Sequence, residues 1–201
     1  RSDSTGGFLT RIDVADPSDI YVVDTIRLTA PGVAGDVAAA ALVPGTGFLV
    51  AVGSQLDPDP SGGLVAHSYL WVLAGTAVPP LLVLLNTINL SDPALGSLAA
   101  RGTARALGVD GRFHLYVATD VSGASPTGEL LVLSFDSSSA TATPLANLAL
   151  PDRAIDVDVD ARSGAGPFVY VADDRVGLVV IDAADPAAPA IIGGARFPPA
   201  P

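Results

Sequence analysis

Apolar residues recur along this chain in short runs, each broken by Gly, Pro, Asn, Asp or Ser. Three of the runs resemble one another: FLVAVG at 48–53, HLYVAT at 114–119 and FVYVAD at 168–173, preceded by the turn-forming stretches PGTG, VDGR and RSGAGP. Runs this short, rich in Val, Tyr and Phe and bounded by turn formers, predict strands rather than helices. Each is followed by a second run, SYLWVLAG (68–75), ELLVLSFD (129–136) or GLVVIDAA (177–184), and then by a third that opens on Pro: PLLVLLNTI, PLANLAL or PAIIGGARF. A small-residue run precedes each set: DVAAAALV, ARALGV or AIDVDVD. The chain therefore repeats a unit of four strands, here named A to D in chain order.

The repeat extends to the N-terminal end. FLTRIDVADP at 8–17 is a near copy of GLVVIDAADP at 177–186, which makes Ile12, Leu73, Leu133 and Ile181 equivalent third-strand positions, separated by 61, 60 and 48 residues. Four short strands per unit at a spacing near fifty predict an all-β fold of the β-propeller type, with four-stranded antiparallel blades. The third strand is apolar on both faces, as expected where sheets stack face to face. INLSDP at 88–93 mimics IDVADP, but the preceding WVLAG already fills the third-strand position, so it reads as a fourth-strand exit. The expected organisation is one domain over 1–201, with a partial blade at 1–30 and full blades near 31–92, 100–151 and 152–198. That gives 14 strands, the first unit lacking its A and B strands. Because the termini look cut (RSDSTGG opens without Met), the expectation is part of a larger propeller.

The stretch Tyr170 to Pro189, Y-V-A-D-x-x-x-G-L-V-V-I-D-x-x-D-P-x-x-P, resembles the LVIVD repeat of bacterial and archaeal β-propellers. The likeness is good over 154–197, recognisable at 8–17 and 113–120, and degenerate at 68–90 and 129–148, where Ala74 or Ser134 stands in place of the Asp and the Asp-Pro pair is absent. The resemblance implies a propeller that is secreted or attached to the cell surface.

Composition narrows the function classes. Among 201 residues there are ten Lys+Arg against 21 Asp+Glu, for a net charge of −11. All ten cations are Arg and the single glutamate is Glu129, and a field of this sign repels phosphate backbones, so nucleic acid is a poor partner. With no Cys, disulfides and thiolate metal sites are excluded. Residues 60–91 carry no formal charge, but Pro79-Pro80 divides them and Gly75, Asn86 and Asn89 interrupt the rest. This pattern predicts two strands and a turn rather than a membrane span.

Candidate chemistry is sparse. His67, on an expected loop before a third strand, and His114, opening a second strand, lie in no motif for nucleophilic or zinc chemistry. No catalytic residue and no cofactor-binding residue is assigned. Calcium, an oxygen-liganded ion, is the one cofactor for which candidate ligands exist. They are Asp156, Asp158 and Asp160, which alternate and so share one strand face; Asp57 and Asp59 of DPDPSGG; and the Asp173-Asp174 turn. Asp13, Asp16, Asp182 and Asp185 suit turns, since Asp hydrogen-bonds its own backbone two residues on. The Gly pairs read as hairpin turns, because a P-loop needs Lys and none exists. Trp71 and Tyr21, Tyr69, Tyr116 and Tyr170 fall in strands, as packing residues.

Two function classes follow. The first is a non-catalytic propeller module acting as a binding or scaffold element in an extracellular, cell-surface or periplasmic assembly. The second is a propeller-type metal-dependent hydrolase or lactonase, disfavoured because DVAAAALV and ARALGV bring few ligands to a central channel. If the first unit lacks A and B strands, the strand at 8–14 exposes an unpaired edge guarded only by Arg11 and Asp13. The expected partner is a protein segment covering it, from the remainder of the same polypeptide or a neighbouring subunit.

Overall fold

The computed structural model describes residues 2–3, 6–13, 16, 18–19, 21–30, 33–75, 81–92, 103–121, 127–161 and 166–196. Among them are 15 strands and no helix, in four antiparallel sheets. The first sheet holds β1 (Ser2–Asp3), β2 (Gly6–Asp13) and β3 (Tyr21–Arg27). The second holds β4 (Gly35–Leu42), β5 (Phe48–Pro58), β6 (Leu64–Gly75) and β7 (Leu82–Asn89). The third is β8 (Thr103–Val109), β9 (His114–Val121), β10 (Thr127–Asp136) and β11 (Thr141–Ala149), and the fourth is β12 (Ala154–Asp160), β13 (Phe168–Asp173), β14 (Gly177–Asp182) and β15 (Ala190–Ala195). In the last three sheets the strands lie side by side in chain order, as in propeller blades.

Two details differ from the sequence reading. The strand β1 is an addition, a two-residue pairing of Ser2 with Gly7 and Asp3 with Gly6. The β5–β6 hairpin is longer than the apolar pattern suggested, because pairing continues out to Pro58 opposite Leu64. Its turn is closed by Gly62 N donating to Asp59 O at 2.8 Å, with Gly62 at φ 88°, the left-handed region where a side chain would be strained. Asp57 and His67 are consequently strand residues, not loop residues. The Pro79-Pro80 pair lies outside the described residues, and among those described no helix is long and apolar enough to cross a membrane.

Strand register carries the repeat more faithfully than the sequence does. In β2/β3, β6/β7, β10/β11 and β14/β15 the pairing shifts by one residue at the same place, immediately before Ile12, Leu73, Leu133 and Ile181. These are the four positions that the sequence aligns. The extra residues, Val23, Leu85, Leu145 and Ile192, are all apolar. A second shift recurs at Val37/Ala39, Ala104/Ala106 and Ala154/Asp156 in the three A–B pairs. Such bulges increase local twist, and their repetition puts that feature at equivalent points of successive units. After the fourth strand, Leu28, Leu90 and Leu150 each donate a backbone N–H to Gly7, Ser68 and Gly128 respectively, at 2.8–3.0 Å.

Those three leucines also plug the gaps between sheets. Leu28 packs with Ala51, Trp71 and Leu73 between the first and second sheets. Leu90 joins Val50, Val52, Leu70, Leu115, Val117, Leu131 and Leu133 between the second and third. Leu150 joins Tyr116, Ala118, Leu130, Val132, Val157, Val169 and Ile181 between the third and fourth. Strand β10 shows why third strands are apolar throughout: Leu131 and Leu133 face the preceding sheet while Leu130 and Val132 face the following one. Fully burying each such side chain contributes roughly 1.5–3 kcal/mol.

Candidate functional site

Three of the four third strands are paired along both edges: β6 between β5 and β7, β10 between β9 and β11, and β14 between β13 and β15. The fourth, β2, has β3 on one edge and on the other only β1, which reaches no further than Gly7. From Phe8 to Asp13 no described strand pairs with that edge. Behind it lies a groove of roughly 460 Å³ lined by Leu9, Arg11 and Ile12 of β2, Ala40 and Leu42 of β4, and Leu49 of β5, among others. Among the described residues that line it, Arg11 is the only charged one. Ile12 is 51% exposed and Leu42 is 70% exposed.

Register explains the exposure. Leu42 pairs with Leu49, as Val109 pairs with Leu115 and Val159 with Val169; one step inward, Ala40 pairs with Ala51, Leu107 with Val117 and Val157 with Val171. Leu107 and Val157 are 8% and 7% exposed, while Ala40 is exposed. Val109 and Val159 are half-buried against the packed clusters. In the third and fourth sheets these positions are covered by second-strand side chains of the sheet before: Val50 and Val52 in one interface, Tyr116 and Ala118 in the next. The first sheet has no such strand among the described residues, so the groove lies where those side chains would go. Leu42 was not singled out in the sequence; the signal that finds it is its register match to Val109 and Val159.

The aspartates considered for calcium are dispersed. Asp57 accepts hydrogen bonds from Gln55 Nε2 at 2.6 Å and from the Tyr69 hydroxyl at 2.5 Å. Burial first, and then this hydrogen bond, raises the Tyr69 pKa well above its usual value. Asp59 caps its own turn, accepting from Ser61 N at 3.1 Å and Ser61 Oγ at 2.7 Å. Asp173 is buried and accepts from Asp152 N, Arg175 N and Val176 N at 2.8–3.1 Å. Asp174 lies 3.6 Å from the Arg153 guanidinium. Asp156, Asp158 and Asp160 do share one face of β12, beside Ala172, Tyr170 and Phe168 and away from the third sheet. Asp156 and Asp158 each accept the backbone N–H of the next residue at 2.9 Å. Among the described residues no group of three or more His, Asp or Glu is placed to hold a metal ion.

The histidines are far apart in role. His67 is half-buried in β6, opposite Gln55. His114 Nδ1 lies 3.1 Å from Asp110 Oδ2, in an arrangement that looks like part of a catalytic dyad. Asp110, however, is 1% exposed and also accepts from Arg112 N, His114 N and the Tyr116 hydroxyl at 2.8–3.1 Å. Its carboxylate organises the β8–β9 turn, in which Phe113 adopts φ 64°. Sequence reading missed Asp110; the VDGR turn that contains it was the available signal. Trp71 is buried, stacked on Tyr69 with ring centroids 5.9 Å apart, and serves packing.

The turn aspartates behave as their chemistry requires. Asp16, Asp182 and Asp185 each accept the N–H two residues on, at 2.9–3.0 Å. The fourth sheet thus joins a Val-Tyr-Val-Ala second strand, an Ile-Asp third strand and an Asp-Pro turn in one unit. Residues 162–195 match the LVIVD repeat. The matched LVIVD unit covers β13, β14 and β15 with their turns, and its register shift recurs in the other three sheets, outside the matched residues. No curated protein matches the chain.

Proposed function

We propose that this LVIVD-repeat chain is a non-catalytic module that works by binding, and that it engages a protein segment along the outer edge of β2. The observation that carries the reading is the outer edge of β2, along which no described strand pairs beyond Gly7, beside a groove in which Leu42 stands 70% exposed. Unpaired strand edges are templates for another strand, and apolar surface beside one supplies the pockets that give strand addition its specificity. The setting we propose is an extracellular, cell-surface or periplasmic assembly, in keeping with the Lys-free, acid-rich composition.

Hydrogen exchange on residues 8–13 tests the reading. Slow exchange in the intact assembly and fast exchange in the isolated chain are expected; fast exchange in both would show the edge to be uncovered and the reading wrong. Metal-dependent turnover of an ester or lactone, lost in His67→Ala or His114→Ala, would replace it with the hydrolase reading.

A further inference from the structure

We propose that the outer face of the fourth sheet, the face turned away from the third, is a docking surface for an arginine-bearing segment of a separate, basic protein, with the arginine seated between Asp156 and Asp158 beside Tyr170. This surface is separate from the β2 edge, so it adds to the binding reading above rather than depending on it.

The three complete sheets differ at one pair of positions. Opposed residues in a sheet share a side. On the side that looks toward the next sheet, the second sheet carries Ala39 and Ala41 of β4 opposite Val52 and Val50, and the third carries Ala106 and Gly108 of β8 opposite Ala118 and Tyr116. The fourth carries Asp156 and Asp158 of β12 opposite Ala172 and Tyr170. Small residues are there for a packing reason: a Cβ on Gly108 would lie 2.6 Å from Cγ2 of Val159, so the next sheet leaves no room for a side chain. Two carboxylates at these positions do not suit a further sheet of the same kind. Its first strand would set apolar side chains, as Leu107 and Val109 or Val157 and Val159 are set, against charges left without partners.

The rest of the face is apolar and lacks the cover its equivalents have. Tyr116, Ala118, Leu130 and Val132 of the third sheet are fully buried against the fourth. Their counterparts Tyr170, Ala172, Leu178 and Val180 are each half-buried. A small pocket of roughly 140 Å³ opens here, lined by Asp156, Val157, Asp158, Tyr170, Ala172 and Leu178. Each carboxylate spends Oδ1 on the N–H of the residue after it, at 2.9 Å, which leaves Oδ2 to another donor.

That combination selects the occupant. A guanidinium is planar, stacks on aromatic rings and pairs with carboxylates through a fork of donors, and its apolar stem can lie along Tyr170 and Leu178. A second copy of this chain is a poor source, since with ten Lys+Arg against 21 Asp+Glu it brings like charge to the face. The fitting partner is a separate polypeptide of net positive charge.

Carboxylate footprinting of the intact chain tests this. The probe is a soluble-tagged peptide of alternating valine and arginine, set against one in which citrulline, uncharged and of the same shape, replaces arginine. The arginine peptide is expected to slow carbodiimide labelling of Asp156 and Asp158 at least about fivefold, because charge-assisted pairing covers both carboxylates. The exposed turn acids Asp136 and Asp185 should label at an unchanged rate, and the citrulline peptide should protect none of the four. Asp156→Asn combined with Asp158→Asn, both at exposed positions, is expected to leave the melting temperature in place. The same pair should weaken binding of the arginine peptide, read by fluorescence anisotropy, at least about fivefold, whereas Asp136→Asn combined with Asp185→Asn should not. Equal protection of all four aspartates, or equal losses in the two double variants, would reduce the effect to diffuse attraction by an acidic chain and overturn the proposal. Protection by the citrulline peptide, or by neither peptide, overturns it as well, and stronger protection by calcium chloride than by the arginine peptide would make the face a metal site instead. None of these outcomes involves residues 8–13, so failure here is distinguishable from failure of the binding reading.

Discussion

Leu115 and Leu49 hold the same register position in successive sheets, and so do their partners Val109 and Leu42. Leu115 is fully buried and Val109 half-buried, whereas Leu49 is half-buried and Leu42 is 70% exposed. At these paired positions the two sites are alike, apolar residues facing each other across an A–B hairpin. What differs is the neighbour. The third sheet is backed by a four-stranded sheet, the second by one whose long strands, among the described residues, are β2 and β3. In a stacked-sheet protein the burial of a side chain is therefore decided by the completeness of the adjacent unit.

The comparison can be broken first in the core. Leu115→Ala is expected to destabilise the isolated chain by about 2–5 kcal/mol, the usual range for a cavity in a packed core. Leu49→Ala, facing the groove, is expected to cost less than half as much. Urea unfolding of the two variants measures the difference, and equal losses would mean that the first interface is as well filled as the second.

The turns differ in the same way. The β8–β9 turn hangs on buried Asp110, while the β4–β5 turn is held by Thr46, whose hydroxyl donates to Val43 O at 2.8 Å and accepts from Phe48 N at 3.1 Å. Asp110→Ala takes the acceptor from the buried Tyr116 hydroxyl and from the part-buried N–H groups of Arg112 and His114, and is expected to cost about 1.5–3 kcal/mol. Thr46→Ala, at a half-exposed site, is expected to cost about 0.5–1.5 kcal/mol. Thermal melts of the two variants rank them.

Much of this was legible in the sequence because the repeat is written in residues that do local work. The Ile-Asp third strand and the Asp-Pro turn marked the first and last units, and the matching of Leu73 and Leu133 to Ile12 and Ile181 falls at the positions where the pairing shifts in all four sheets. The groove was less legible. Leu42 ends an alanine-rich run, and nothing near it in sequence signals whether a neighbouring sheet covers it. Asp110 was missed for a related reason: an Asp-Gly turn reads the same whether its carboxylate meets water or is buried under a tyrosine. The lengths of β5 and β6 were underread because LDPDPSGGLV looks like a loop, although Asp57 pairs opposite Val65 and is satisfied by Gln55 and Tyr69.

Smaller effects sharpen the contrast. Leu42→Ala is expected to change the stability of the isolated chain by less than about 0.5 kcal/mol in urea unfolding, as for other exposed sites. A loss of stability as large as that of Leu115→Ala would show Leu42 to be part of a finished core. The least effect belongs to the exposed turn at Asp136. Hydrogen bonds from Ser138 Oγ, Ser139 Oγ and Ser138 N hold its carboxyl below the ordinary 3.8. The ionised form is the bonded one, so its stabilisation is present above that ordinary value and is lost as pH falls through the lowered one. The difference in stability between the parent chain and Asp136→Asn should therefore narrow in that acidic range, as pH-dependent denaturation would record.

The most direct test of the account is residue-resolved hydrogen exchange on the isolated chain, comparing 8–13 of β2 with the equivalent 69–74 of β6 and 129–134 of β10. The outward-pointing amides of β2 are expected to exchange at least about a hundredfold faster than their counterparts, since no described strand pairs with that edge beyond Gly7. Protection of β2 equal to that of β6 and β10 in the isolated chain would contradict it.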